Sequence, residues 1–378
     1  PYFTAYLPAL FLAAILTPAA VVVIAVNDLE SAVIVLITLP LNLLTTFESP
    51  RFISYMGAPT SDLRADVNFV DAPGGSAAVS ARLRAELEGD DRVSAVRSYA
   101  GMLTEAQGED GWEAFRVEVG DYSDTTLVFI DGRAPTTGEI ALSTLNAQKY
   151  GTRPGDDFIL RDGDGSRVVT VSGTYQDITN GGYTAKMQGD VDSGADRWTI
   201  YADLADGVDP VALAQEYNAR FEAASVLPMQ GYMEQTLSHI TGALRGAALI
   251  TLAFGLGTAG LVAALFLRLR IAKDRQKIGV LSTVGFSMRE IIAGFRAKTL
   301  IAVTCGTLLG LVFTATFGEA LVSSFIGGIG VGIERLSFIP NVWIAYIGYP
   351  ALLIGIAALG ALVLTRQLRH TDRSRWLR

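Results

Sequence analysis

Few residues of this 378-residue chain stand at spacings that chemistry requires. It has two histidines, His239 and His370, and one cysteine, Cys305, too few and too scattered for a zinc site or a disulfide framework. The pairs Asp90-Asp91 and Asp156-Asp157 could serve acid–base work, but no nucleophile stands beside a base, so turns and solvated strand ends explain them. Asp162-Gly163-Asp164-Gly165-Ser166 is similar to the opening of a calcium loop; the distal Glu is missing and strand-like flanks make it a hairpin turn. Gly255, Gly257 and Gly260 spell a dinucleotide fingerprint without the preceding strand, in an uncharged run where small residues serve helix packing. Gly74-Gly75-Ser76 could seat an anion at a helix start, yet no phosphate-loop lysine follows and a strand-to-helix turn accounts for it. With no Walker A sequence, neither ATP hydrolysis nor a resident cofactor is expected of this chain.

Charge is the stronger signal. Arg268 to Lys298 carries eight basic and two acidic residues between long apolar runs. A short basic loop between membrane spans stays in the cytoplasm. Inside it, Ile278, Leu281 and Val284, then Met288, Ile291, Ile292 and Phe295, recur at helical spacing. Gly285 breaks the run and Ser287 offers an N-cap, so two short amphipathic helices joined at Gly285 are predicted. Holding lipid headgroups is one use for such a loop; docking a partner is another.

The elements that position this loop are membrane spans. Half the residues are hydrophobic and only 18% are charged, which points to a membrane protein. Five spans are predicted: one in residues 1–27, one with its stalk in 28–61, one after a second stalk in 229–267, and two more in 299–325 and 341–365. The basic loop 268–298 and the basic tail 366–378 lie inside, and the short loop 326–340 outside. Met233, Leu237, Ile240 and Leu244 form the apolar stripe of the second stalk.

Residues 62–228 are of another kind, with short alternating stretches and an acidic excess; over 62–234 there are 30 acidic against 14 basic residues. The region is expected to be water-soluble, on the side opposite the basic loop, and its charge argues against nucleic acid as a partner. The element order along the region reads strand-helix-strand, β-rich insert, strand-helix-strand. The fold class is thus an α+β membrane protein with about five transmembrane helices and one large extracytoplasmic α/β domain.

DRQKIGVLSTVGFSMREII resembles the loop of FtsX-like permeases of ABC transporters, approximately R-x-x-E-I-G-V-L-R-A-L-G-A-S-x-x-x-I. Ile278, Gly279, Val280, Leu281, Gly285, Ser287 and Ile291 fall on that pattern and Arg275 stands one place after its Arg, while Lys277 replaces its usual Glu and Ser282 an Arg it often has. GEIALSTLNAQKYGTRPGDDFIL is similar to a phrase of the MacB-type extracytoplasmic domain, and the element order matches it, a resemblance that implies a two-part strand-helix-strand subdomain interrupted by a small β subdomain. The resemblance implies an ABC ATPase partner, with ATP and Mg on that subunit. Its cleft would receive the helix around Gly279, burying Ile278 and Leu281, while Arg275, Lys277 and Arg289 meet its surface. It also implies a second copy or the other half of a fused permease. The span ahead of the domain-bearing unit and the start at Pro1 favour a C-terminal half, the alternative being a trimmed or processed single unit.

The expected function is transmission: ATPase motion enters at the basic loop and reaches the outer domain to export or extract a hydrophobic or amphipathic substrate, such as a lipid, lipoprotein, peptide or drug. The alternative is an FtsX-like regulator that activates a cell-wall hydrolase through protein contacts outside the membrane. The expected location is the plasma membrane of a bacterium.

Overall fold

The structure, a computed structural model, describes residues 29–68, 75–163, 165–190, 195, 197–329 and 332–369. The span predicted in residues 1–27 and the end of the basic tail lie outside the described residues, as do Gly74, Asp164 and His370. The chain divides into an apolar helical unit (Pro1–Glu48, His239–Phe325, Leu336–Arg378) and a β-rich unit (Ser49–Ser238, Ile326–Arg335).

The β-rich unit is one ten-stranded sheet used twice. Strands β1 (Leu63–Val67), β2 (Val93–Gly108), β9 (Arg197–Leu204) and β10 (Ser225–Pro228) pair antiparallel in the order β10-β1-β9-β2. Helices Gly75–Glu88 and Pro210–Arg220 make the crossovers of a split β-α-β arrangement. Asp209 caps the second helix by accepting from the Val211 amide, with Pro210 in its first turn, as the sequence predicts. Leu83 and Leu87 from one helix and Leu213 and Tyr217 from the other bury against Val67, Ile200 and Val226 of the sheet.

The insert between β2 and β9 closes on itself. Strands β3 (Gly111–Gly120), β5 (Glu139–Ser143), β6 (Asp157–Asp162), β7 (Gly165–Tyr175) and β8 (Ala185–Gln188) join the second half of β2 in the circuit β2-β3-β8-β5-β7-β6. β6 returns to β2 through Glu105↔Arg161 and Ala106↔Leu160. Closure leaves no open edge among these six strands. Phe115, Ile140, Phe158, Leu160 and Val171 fill the interior, while β4 (Phe129–Gly132) adds to β7. The acidic motif at Asp162 is the β6–β7 hairpin turn, with Gly163 at φ +60°.

In the helical unit, helix Leu29–Phe47 is buried along most of its length, with Ile34, Ile37, Leu39 and Leu43 fully enclosed. Small residues let its neighbours approach. A Cβ at Gly310 would lie 2.1 Å from Ile34 Cγ2, and one at Gly255 would lie 2.7 Å from Ile37 Cγ1. Ser31 Oγ donates to the Gly306 carbonyl at 2.9 Å, and the Thr38 and Thr314 hydroxyls meet at 3.3 Å. Gly255 thus serves close helix packing and Gly260 lies against Ile356, while Gly257 faces no described neighbour within 4 Å.

Three helices among the described residues are long and apolar enough to cross a membrane: Met229–Lys273, Met288–Gly328 and Ile344–Val363. The apolar stretch Ser31–Phe47 is shorter than these. The boundaries differ from the sequence pattern in three places. The second short helix predicted in the basic loop is the first turns of one helix, Met288–Ile329, because no Gly or Pro break stands between Arg296 and Thr299. That helix also takes up the start of the predicted loop 326–340. The stalk predicted near residues 47–56 is a 3-10 turn, Pro50–Tyr55, because Pro50 denies an α-helix its amide and Ser49 caps the turn.

Candidate coupling elbow

The basic loop folds as a helical elbow. Helix Met229–Lys273 ends, and after Asp274 a nine-residue helix, Arg275–Thr283, turns away from it. The stop and restart are written in LSTVGFSMRE. Gly285 sits at φ +104° with open space around it, so the backbone conformation alone explains a residue without a side chain. The Phe286 amide reaches back to the Leu281 carbonyl at 3.1 Å, the six-to-one bond of a Schellman motif. Ser287 then opens the next helix. Its Oγ accepts from the Glu290 amide at 3.3 Å, while Glu290 Oε2 accepts from the Ser287 amide at 2.8 Å, a reciprocal capping box. These bonds from Ser287 hold the Glu290 carboxyl below its usual range.

The elbow has an inner and an outer face. Ile278 and Ile291 are buried with Leu267, Ile271 and Ala361, and Met288 and Phe295 pack on this cluster. Ile278 is therefore spent on the chain's own packing, whereas the family resemblance assigned it to a partner's cleft. The outer face carries Val280, Val284 and Phe286, at least half exposed, with Leu281 at 38%. Among them Gly279 is helical with nothing within 4 Å of where a Cβ would stand. Lys273, Lys277 and Arg289 are exposed around this face, Lys277 Nζ lying 3.1 Å from Asp274 Oδ1. Arg275 lies in the nine-residue helix. Val284 and Phe286 also belong to the outer face, standing where the family pattern has Leu and Ala. Their signal in the sequence is apolar side chains beside a helix-ending glycine in a basic loop.

The four residues of the expected stalk stripe lie on helix Met229–Lys273. Met233 and Leu237 are buried in the β-rich unit, Leu244 is buried in the helical unit, and Ile240 is half-buried between them in sequence. Stalk and span are one 45-residue helix, Met229–Lys273. At 1.5 Å per residue that is about 65 Å, twice a hydrocarbon core.

Residues 249–373, which contain the elbow, match the family model of the FtsX-like permease C-terminal region. This part of the chain, with its long apolar helices, is thus similar to the C-terminal region of FtsX-like permeases. Among solved structures, the chain is similar to the periplasmic region of MacB from Actinobacillus actinomycetemcomitans, at 11% identity over 49% of this chain and 95% of that one, with a TM-score of 0.33. It is also similar to the extracellular domain of the noncanonic ABC-type transporter YknZ from Gram-positive bacteria, at 17% identity over 43% and 99% of the two chains, TM-score 0.29. A third is a domain of a putative permease protein from Porphyromonas gingivalis, at 15% identity over 44% and 89%, TM-score 0.25. No curated protein sequence matches the chain.

Proposed function

We propose that this chain is the permease of an ABC transporter in a bacterial plasma membrane, driven at the elbow by a separate ATPase subunit that binds ATP and Mg. The observation that carries the reading is the outer face of the elbow: bare Gly279 amid exposed Val280, Leu281, Val284 and Phe286. A helical glycine costs about 1 kcal/mol against alanine, and none of the described residues uses the space it leaves. A partner surface that comes close to the backbone would use it, with Lys277 and Arg289 steering acidic groups to the rim.

Motion received there travels along helix Met229–Lys273 to the β-rich unit, which is held on the extracytoplasmic side while the C-terminus stays in the cytoplasm. A second copy or another permease half completes the assembly. From Ala247 to Leu267 and from Thr299 to Gly318 no charged residue interrupts the apolar helices, so they offer no ion-coupling group. The substrate is therefore hydrophobic or amphipathic, met at the outer leaflet or by the outer domain. Co-purification with the ATPase subunit tests the reading. Gly279→Trp is expected to lower recovery of the ATPase at least tenfold while the permease remains in the membrane fraction; undiminished recovery would contradict it.

A further inference from the structure

Within the β-rich unit, the turn Gln176–Thr184 grips two pieces of chain that are distant in sequence. One is Tyr55–Gly57, which follows the 3-10 turn after helix Leu29–Phe47. The Ile178 amide donates to the Tyr55 carbonyl at 3.1 Å, and Met56 pairs with Asp177 as an isolated antiparallel bridge. The other is residues 332–335, between the last two long helices. Gln176 Oε1 accepts from the Glu334 and Arg335 amides, both at 2.7 Å, and Thr144 Oγ1 donates to the Gly332 carbonyl at 3.2 Å.

Asp177 stands at the centre. Its side chain is 2% exposed. Oδ1 accepts from the Thr179 amide and hydroxyl, both at 2.7 Å, and Oδ2 accepts from the Thr184 hydroxyl at 2.7 Å. Both gripped pieces touch this residue through glycines. A Cβ at Gly57 would lie 2.2 Å from Asp177 Oδ2, and one at Gly332 would lie 2.0 Å from the Asp177 carbonyl oxygen.

We propose that Asp177 is the centre of a proton-operated clasp that holds 55–57 and 332–335 on the barrel when it is protonated and releases them when it is ionised. The physical reason is desolvation. Burial pushes the carboxyl up to about 6, even though Lys186 of β8 and the bonds from Thr184 and Thr179 favour the charge. The other titratable groups facing it are the Tyr175 hydroxyl of β7 and that of Tyr232 on helix Met229–Lys273, both pushed up by burial. Glu118 is paired to Lys186 and shares with Asp177 a cavity of about 70 Å³, which Arg64, Arg116 and Arg197 also line. Glu334 and Arg335 enter the clasp through their amides, with exposed side chains.

The sign follows from linkage. The closed clasp binds the proton more tightly than an open one in which Asp177 is hydrated and titrates near 3.8, so acid favours closure. Between pH 4 and pH 6 the open-to-closed ratio rises about thirtyfold, and it levels off above about pH 7. Lifting either segment off the turn gives the carboxylate water, which removes the cost of burying its charge.

Hydrogen–deuterium exchange on the full chain in lipid nanodiscs tests this at the Ile178, Glu334 and Arg335 amides. With Asp177→Asn as the uncharged reference at each pH, wild-type protection is expected to fall about thirtyfold from pH 4 to pH 6. Gln176→Ala is expected to lose protection at 334 and 335 at every pH, which ties the signal to the clasp. Wild type and Asp177→Asn tracking each other across the range would overturn the proposal, as would unchanged protection in Gln176→Ala. If Asp177→Asn does not fold, Thr184→Val serves. It removes a bond to the ionised carboxyl and should move the transition to higher pH, and an unmoved transition overturns the proposal.

Discussion

The elbow and the clasp solve opposite problems. At the elbow nearly every functional feature lies within 17 consecutive residues, Arg275 to Ile291, and its outer face is open. The clasp draws on Tyr55–Gly57, Thr144, Gln176–Thr184 and Gly332–Arg335, and its centre is closed off from water. An exposed site tolerates change in its own fold and loses its partner; a buried one loses its fold first. Buried polar groups carry large penalties when their bonds are lost, whereas exposed apolar side chains carry almost none.

The largest effect is therefore expected at the clasp. Gly57→Val places a side chain against the Asp177 carboxyl at φ +61° and should destabilise the β-rich unit by about 4 kcal/mol. Thermal unfolding of the full chain, followed by fluorescence of Trp112 and Trp198 in that unit, checks it; an unchanged midpoint would mean that the turn yields freely. A smaller effect belongs to the elbow's own fold. Ser287→Ala removes one half of the capping box at an exposed helix start and should cost about 1 kcal/mol, seen as faster amide exchange at 288–291 with no change in the β-rich unit. Equal losses from the two substitutions would erase the contrast between the sites.

The same contrast explains what could be read from the sequence. A helix stop and restart is a local code, so Gly285 and Ser287 are legible, and so is the cap at Asp209-Pro210. The split β-α-β order follows from strand and helix periods taken in turn. Which face of the elbow turns inward is not local: Ile278 is claimed by Leu267, Ile271 and Ala361, and the last of these lies more than 80 residues away in sequence. Barrel closure depends on only two residue pairs between β2 and β6, which no short pattern announces. Asp177 reads as an ordinary loop acid. Its burial comes from Gly57 and Gly332, each distant in sequence and each able to approach because it lacks a side chain.

Lys186 shows how the barrel tolerates charge. The residue is 3% exposed, its ammonium beside Glu118, to which the Tyr122 hydroxyl also donates at 2.7 Å. Burial alone would raise the Glu118 carboxyl; the Lys186 and Tyr122 partners hold it below its usual range. Asp177, with hydroxyl and amide donors but no such direct ion pair among the described residues, goes the other way.

The central claim is that the outer face of the elbow receives the ATPase. The direct measurement is ATP turnover by the permease–ATPase complex in lipid nanodiscs, comparing wild type with Val284→Asp/Phe286→Asp. Both side chains are exposed, so the permease should fold unchanged while turnover stimulated by the permease falls tenfold or more. Turnover equal to wild type in a stably assembled complex would contradict the account and leave the elbow as a membrane-surface anchor.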